Sequence, residues 1–144
     1  MGSKQPPPFE VVNHTADLAI RARGRTFPEL VVNAARGLCA LLAESAALAP
    51  QGPPRRVEAE GETRERVLRR ALGEVLALET LEGLVPVRAE LAAGEEGRIV
   101  LEMGVVPLDA AREHLLADIK AVTYHDLNVR ETEAGLEVTV VFDT

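Results

Sequence analysis

Tryptophan is missing from this 144-residue chain, and aromatic residues make up only 3% of it. A core so poor in rings must be assembled mainly from leucine, valine and alanine, the residues that fill both of its helix-spaced segments. The single cysteine, Cys39, excludes an intramolecular disulfide framework and any multi-cysteine zinc site. It falls in an apolar helical pattern and reads as a small core hydrophobe. No run approaches the roughly 18 apolar residues of a membrane span. The opening Met-Gly-Ser-Lys-Gln-Pro-Pro-Pro lacks the apolar centre of a signal peptide, so a soluble, cytoplasmic protein is expected. Lysine is scarce: Lys4 and Lys120 are the only two. With a net charge of −7, bulk attraction to nucleic acid is not expected, nor is stable direct binding to it. An RNA-binding role would need a local basic patch, and many of the arginines do lie near residues 55–70. A glycine-rich phosphate loop, a Gly-x-Ser-x-Gly elbow and a His-Glu-x-x-His pair are all absent. An independent enzyme is not supported.

What is present is enough for one domain with one core. Residues 1–8 read as a disordered lead held extended by Pro6–Pro8, and 9–144 as the folded domain. Phe9–Val12 looks like a short strand. After His14-Thr-Ala-Asp17, a second strand alternates from Leu18 to Gly24. Thr26-Phe-Pro-Glu29 has capping-box spacing and opens a helix that runs to about Glu44, with Leu30, Val31, Ala34, Ala35, Leu38, Leu41 and Leu42 on its apolar face. Val57–Glu60 alternates as a strand. A second helix is expected from Thr63 to Glu82, stopped by Gly83, with Arg64, Arg66, Arg69 and Arg70 crowded at its start. Val85–Leu91 and Arg98–Val106 read as a hairpin about Gly94–Gly97, and 107–116 as a short helix or loop. The order implies a single α+β domain, a mainly antiparallel β-sheet carrying two helices.

The closing stretch is read as two strands. Asp118–His125 alternates and is rich in β-branched residues, and Glu131–Gly135 is a polar break. Leu136, Val138, Val140 and Phe142 then point one way, with Glu137, Thr139, Val141 and Asp143 opposite. Asp143 is thus off the apolar face at a strand end. Asp17 holds the same position at the mouth of the second strand. If the first and last strands pair, the two carboxylates approach each other, and with backbone oxygens they suit a hard divalent cation better than zinc. A turn aspartate and a solvated one are the plain alternative. His14, His114 and His125 lack mutual ligand spacing and read as hydrogen-bonded surface or turn residues. Lys120, on the strand beside Val122 and Tyr124 and opposite Ile119 and Ala121, reads first as a solvent-face lysine.

Taken together, His14-Thr-Ala-Asp17, Gly24-x-Thr26-x-x-Glu29-Leu30 leading into Asn33-Ala-Ala35, Ile119-Lys-Ala-Val-Thr-Tyr-His125 and Phe142-Asp143-Thr144 resemble the archease family, in the family's order and over nearly the whole chain. The resemblance implies an accessory protein for RNA ligases of the RtcB type, which join a 3′-phosphate or 2′,3′-cyclic phosphate end to a 5′-hydroxyl end in tRNA splicing and RNA repair. Such a protein promotes guanylylation of the ligase's active-site histidine and multiple turnover. The resemblance further implies a divalent metal ion (Ca²⁺, or Mg²⁺ or Mn²⁺) at Asp17, Asp143 and an oxygen of Thr144, with Lys120 and His14 as partner-facing positions. The family usually ends Asp-Ile or Asp-Leu, and its second helix carries a tryptophan and a tyrosine; this chain has neither feature. A chaperone-like modulator of another RNA-processing enzyme is the second reading. An autonomous metal-dependent hydrolase comes third, because two carboxylates without a base or nucleophile make an incomplete site.

Overall fold

The structure, a computed structural model, describes residues 6–13, 18–124 and 126–144, with Asn13 described by its backbone alone. Among the described residues, eight strands and two long helices make an α+β domain. β1 (Phe9–Asn13) and β2 (Leu18–Gly24) precede α1 (Phe27–Leu42); β3 (Arg55–Glu60) precedes α2 (Arg64–Glu82). β4 (Leu84–Glu95) and β5 (Arg98–Pro107) form a long hairpin. A one-turn helix α3 (Leu108–Ala111) and a 3-10 turn (Arg112–His114) then lead to β6 (Ala121–Val122), β7 (Arg130–Thr132) and β8 (Gly135–Asp143).

One sheet was expected and two are found. The first runs β1-β2-β8-β6, with β7 also on β8; the second runs β3-β5-β4. Both are antiparallel. The split follows from local pairing. The β4–β5 hairpin takes β3 as its third strand, while the first hairpin finds its partner only at the far end of the chain. Pro86 sits in β4 beside a register shift, tolerable because β4 is an edge strand that needs no donor on its outer side.

The helices lie between the sheets: α1 packs on β2 and β4, and α2 on β3, β4 and β6. Their buried faces are the apolar stripes read from spacing, Leu30–Leu42 on α1 and Val67–Leu78 on α2. Leu38, Leu72, Leu101, Met103, Ile119 and Phe142 meet in one core, with Cys39 packed among them as a hydrophobe. Burial pushes the Cys39 thiol up to about 12, so it stays uncharged and inert.

The caps are where the sequence put them. The Thr26 hydroxyl accepts from the Glu29 N–H at 3.2 Å, and Thr63 accepts from the Arg66 N–H at 3.2 Å. Glu29 reaches back one residue further than the box implies, accepting from the Arg25 N–H at 3.1 Å. Gly83 ends α2 with φ +67°, the left-handed turn that favours glycine.

Candidate functional site

β8 is the strand on which the candidate site depends. Its burial alternates along its whole length, with Leu136, Val138, Val140 and Phe142 inside and Asp143 exposed. It pairs with β2 from Gly24↔Leu136 to Leu18↔Phe142. On the outer face of this sheet, cross-strand charges hold the register. Arg23 donates to Glu137 and Glu10, each at 3.1 Å, and Arg21 to Glu10 at 3.1 Å. The Arg23 hydrogen bond holds the Glu10 carboxyl below its ordinary pKa, with burial opposing and the Arg21 charge assisting. Arg23 also engages the lead segment: its backbone N–H donates to the Pro8 carbonyl at 2.8 Å and its guanidinium to the Pro7 carbonyl at 3.3 Å.

Lys120 and Asp143 come together. The Lys120 N–H donates to the Asp143 carbonyl at 2.8 Å, Ala121 is the register partner of Asp143, and the Thr123 N–H donates to the Val141 carbonyl at 2.9 Å. The side chains of Lys120, Asp143 and Thr144 are all exposed. Asp17 and His14 lie outside the described residues, as does His125. Among the described residues no three His, Cys, Asp or Glu side chains cluster as a metal would need. The described donors, the Asp143 carboxylate and Thr144, offer oxygen ligands, a chemistry that fits a hard cation.

The strand expected over Asp118–His125 is mostly not one. Only Ala121 and Val122 pair with β8; Lys120 precedes the strand, and the hairpin partner across the Glu133-Ala134 turn is the short β7. Nor does the expected alternation hold. Ile119 and Val122 are both buried while Lys120 and Tyr124 are exposed, so Lys120 does not share a side with Val122. The cause is α2. Residues 118–124 and 126–131 run alongside that helix, and its side chains replace a second strand as their support. Asp118 is felt by Glu79, Tyr124 stacks on Arg69, the Val129 N–H donates to Glu65 at 2.8 Å, and Glu131 lies 3.5 Å from Arg64. Burial, and secondarily the Asp118 charge, raises the Glu79 carboxyl above its ordinary pKa. His114 is the hydrogen-bonded surface histidine expected, 3.3 Å from Glu44.

The family model for the archease protein family (MTH1598/TM1083) matches residues 9–144. The chain belongs to the archease family. It is 32% identical to the protein archease of Thermococcus gammatolerans, over 88% of this chain and 91% of that one. With the Aeropyrum pernix archease the figure is 33%, over 90% and 92%. Its fold is that of Methanobacterium thermoautotrophicum protein 1598, with TM-score 0.76, 22% identity and coverage of 95% of this chain and 99% of the other. The Thermotoga maritima archease, described as a possible chaperone, superposes with TM-score 0.61 at 24% identity over both whole chains. Among the described residues no helix of this family member is long and apolar enough to cross a membrane.

One group escaped the sequence reading as a site. Arg66, Arg69 and Arg70 share an exposed face of α2 with Tyr124, whose ring centre is 3.1 Å from the Arg69 guanidinium carbon. The crowding of arginine at the start of the helix was the available signal. The stacked tyrosine, more than fifty residues on, had none.

Proposed function

We propose that the chain activates an RtcB-type RNA ligase, promoting guanylylation of the ligase's active-site histidine and its repeated turnover in tRNA splicing or RNA repair, without being an enzyme itself. Membership of the archease family supports the class of function. The observation that carries the site is the end of the β2–β8 ladder. Leu18 is the register partner of Phe142, the chain neighbours of that pair are Asp17 and Asp143, and the Lys120 N–H is on the Asp143 carbonyl. A carboxylate from each strand end, with a Thr144 oxygen, would hold a calcium, magnesium or manganese ion. Lys120 and His14 would face the ligase. A bound ion would tie the two strand ends and set a fixed positive charge at the tip.

The test is to add the chain in substoichiometric amounts to its cognate ligase with GTP and measure the rate of histidine guanylylation. Acceleration with turnover supports the reading, and an unchanged rate removes it. The description of the Thermotoga relative as a possible chaperone favours a second reading, modulation of a partner's solubility. That activity would suppress aggregation of the ligase while leaving the guanylylation rate per soluble ligase unchanged.

A further inference from the structure

The net charge of −7 conceals an uneven surface. At the start of α2, Arg64 is paired, donating to Glu96 at 2.7 Å and lying 3.5 Å from Glu131. Arg66, Arg69 and Arg70 are exposed, and among the described residues no carboxylate lies within ion-pair distance of any of them. Spacings of three and four residues put them on one face, where like charges repel one another. Gly73, a turn further on, leaves the face open, with no atom within 4 Å of where a Cβ would stand. Tyr124 reaches the same spot from the segment alongside and is 53% exposed. With Glu74 these residues line a shallow polar hollow of about 360 Å³, and Arg66 and Arg70 extend into a second that Glu60 and Glu62 share with Gly61 and Gly97.

Although Glu60, Glu62 and Glu74 border the two hollows, none of them is paired with these three exposed arginines, whose guanidinium groups are left to face outward. Guanidinium forks match phosphate oxygens in pairs. The ring narrows the choice. An acidic protein surface would be satisfied by the charges alone, whereas arginines around a half-open aromatic face are the means by which single strands are held, phosphates on the cations and a base on the ring. We propose that the Arg66, Arg69 and Arg70 face of α2, with Tyr124, is a binding surface for single-stranded RNA. The choice of RNA over DNA rests on the proposed partnership with an RNA ligase. The surface shares its segment with Lys120, four residues before Tyr124, whose backbone N–H donates to the Asp143 carbonyl.

The test uses the full chain alone, without ligase, and follows the fluorescence anisotropy of a short labelled single-stranded RNA as salt is raised. Wild type should bind at low salt, with a log–log salt slope of about −2 for three phosphate contacts. Arg66→Gln with Arg70→Gln should weaken binding about tenfold or more and flatten the slope to about −0.7. Tyr124→Leu should weaken it about fivefold or more and leave the slope unchanged. Arg112→Gln, on a residue already paired with Asp109 at 2.7 Å, should change nothing. Circular dichroism checks that each variant is folded. The proposal is overturned if wild type does not bind at low salt, or if the double variant binds as wild type does. It is equally overturned if polyglutamate binds as tightly as RNA and Tyr124→Leu has no effect, since the occupant is then an acidic protein. Because ligase is absent, failure here leaves the activation reading standing, and failure of activation leaves this surface standing.

Discussion

The backbone N–H of Lys120 donates to the carbonyl of Asp143 at 2.8 Å, joining the lysine of one family block to the aspartate of another. Both side chains are exposed, so changing either should spare the core. Asp143→Ala and Asp17→Ala are each expected to abolish ligase activation. Asp143→Ala should do so with its thermal transition kept. Lys120→Ala should lower activation strongly, and Lys120→Arg should restore it only in part, because a planar fork does not replace a compact charge. Guanylylation rates beside melting curves check this. A Lys120→Ala protein as active as wild type would misplace the tip.

The metal assignment has its own readout. Calcium should raise the melting temperature of wild type, since a ligand that binds only the folded state stabilises it by mass action. Asp143→Ala should show no such shift. In a calcium-bound crystal, oxygens of Asp17 and Asp143 should both lie about 2.3–2.6 Å from the ion. Carboxylates held apart would separate the two strand ends functionally.

Phe142 is completely buried, one residue from Asp143. Phe142→Ala should cost about 3–5 kcal/mol, a large share of a typical domain's stability, and should weaken the end of the β2–β8 ladder with it. Urea denaturation measures the first effect, and amide exchange at Leu18 the second.

Glu79 gives the pH dependence. Its carboxyl is raised by burial, with one oxygen buried and unpartnered, so the folded state holds this proton more tightly than the unfolded one does. The stabilising contribution is therefore full below the unfolded value and lost as pH rises through the folded value. Glu79→Gln should raise the melting temperature at neutral pH and gain less near pH 4.5, the ordinary value for this carboxyl. Melting curves at the two pH values decide. An equal gain at both would assign the effect to something other than ionisation.

Close backbone approach is tested at Gly24. A Cβ there would fall on the backbone of Glu29 and Leu30, at the first turn of α1. Neither can yield without moving the helix, so Gly24→Ala should cost more than about 2 kcal/mol. Denaturation of the variant gives the value, and a neutral result would mean that α1 can shift on β2.

Periodicity made the helices, their caps, the β4–β5 hairpin and the inward face of β8 legible, because each is a local pattern that tertiary contact only reinforces. The partition into two sheets was not legible, since it depends on which hairpin captures β3 and on pairing between the chain's two ends. The Lys120 segment misled for a related reason. Its β-branched residues satisfy strand propensity, yet α2 rather than a neighbouring strand supports them, so burial follows the helix. Asp143 could be placed by its phase in β8, and Lys120 by its family block. The Arg69–Tyr124 stack could be placed by neither.

Arg23 and Glu137, joined across the first sheet, stand 114 positions apart. The second sheet asks for no such reach, since β4 and β5 adjoin and β3 is separated from them by one helix. During synthesis, then, all three strands of the second sheet are available while β2 still waits with an open edge. Until β8 emerges, that edge is a template for any passing strand, and Arg21 and Arg23 along it, salt-bridged to Glu10 of β1, are the charges that discourage a wrong partner.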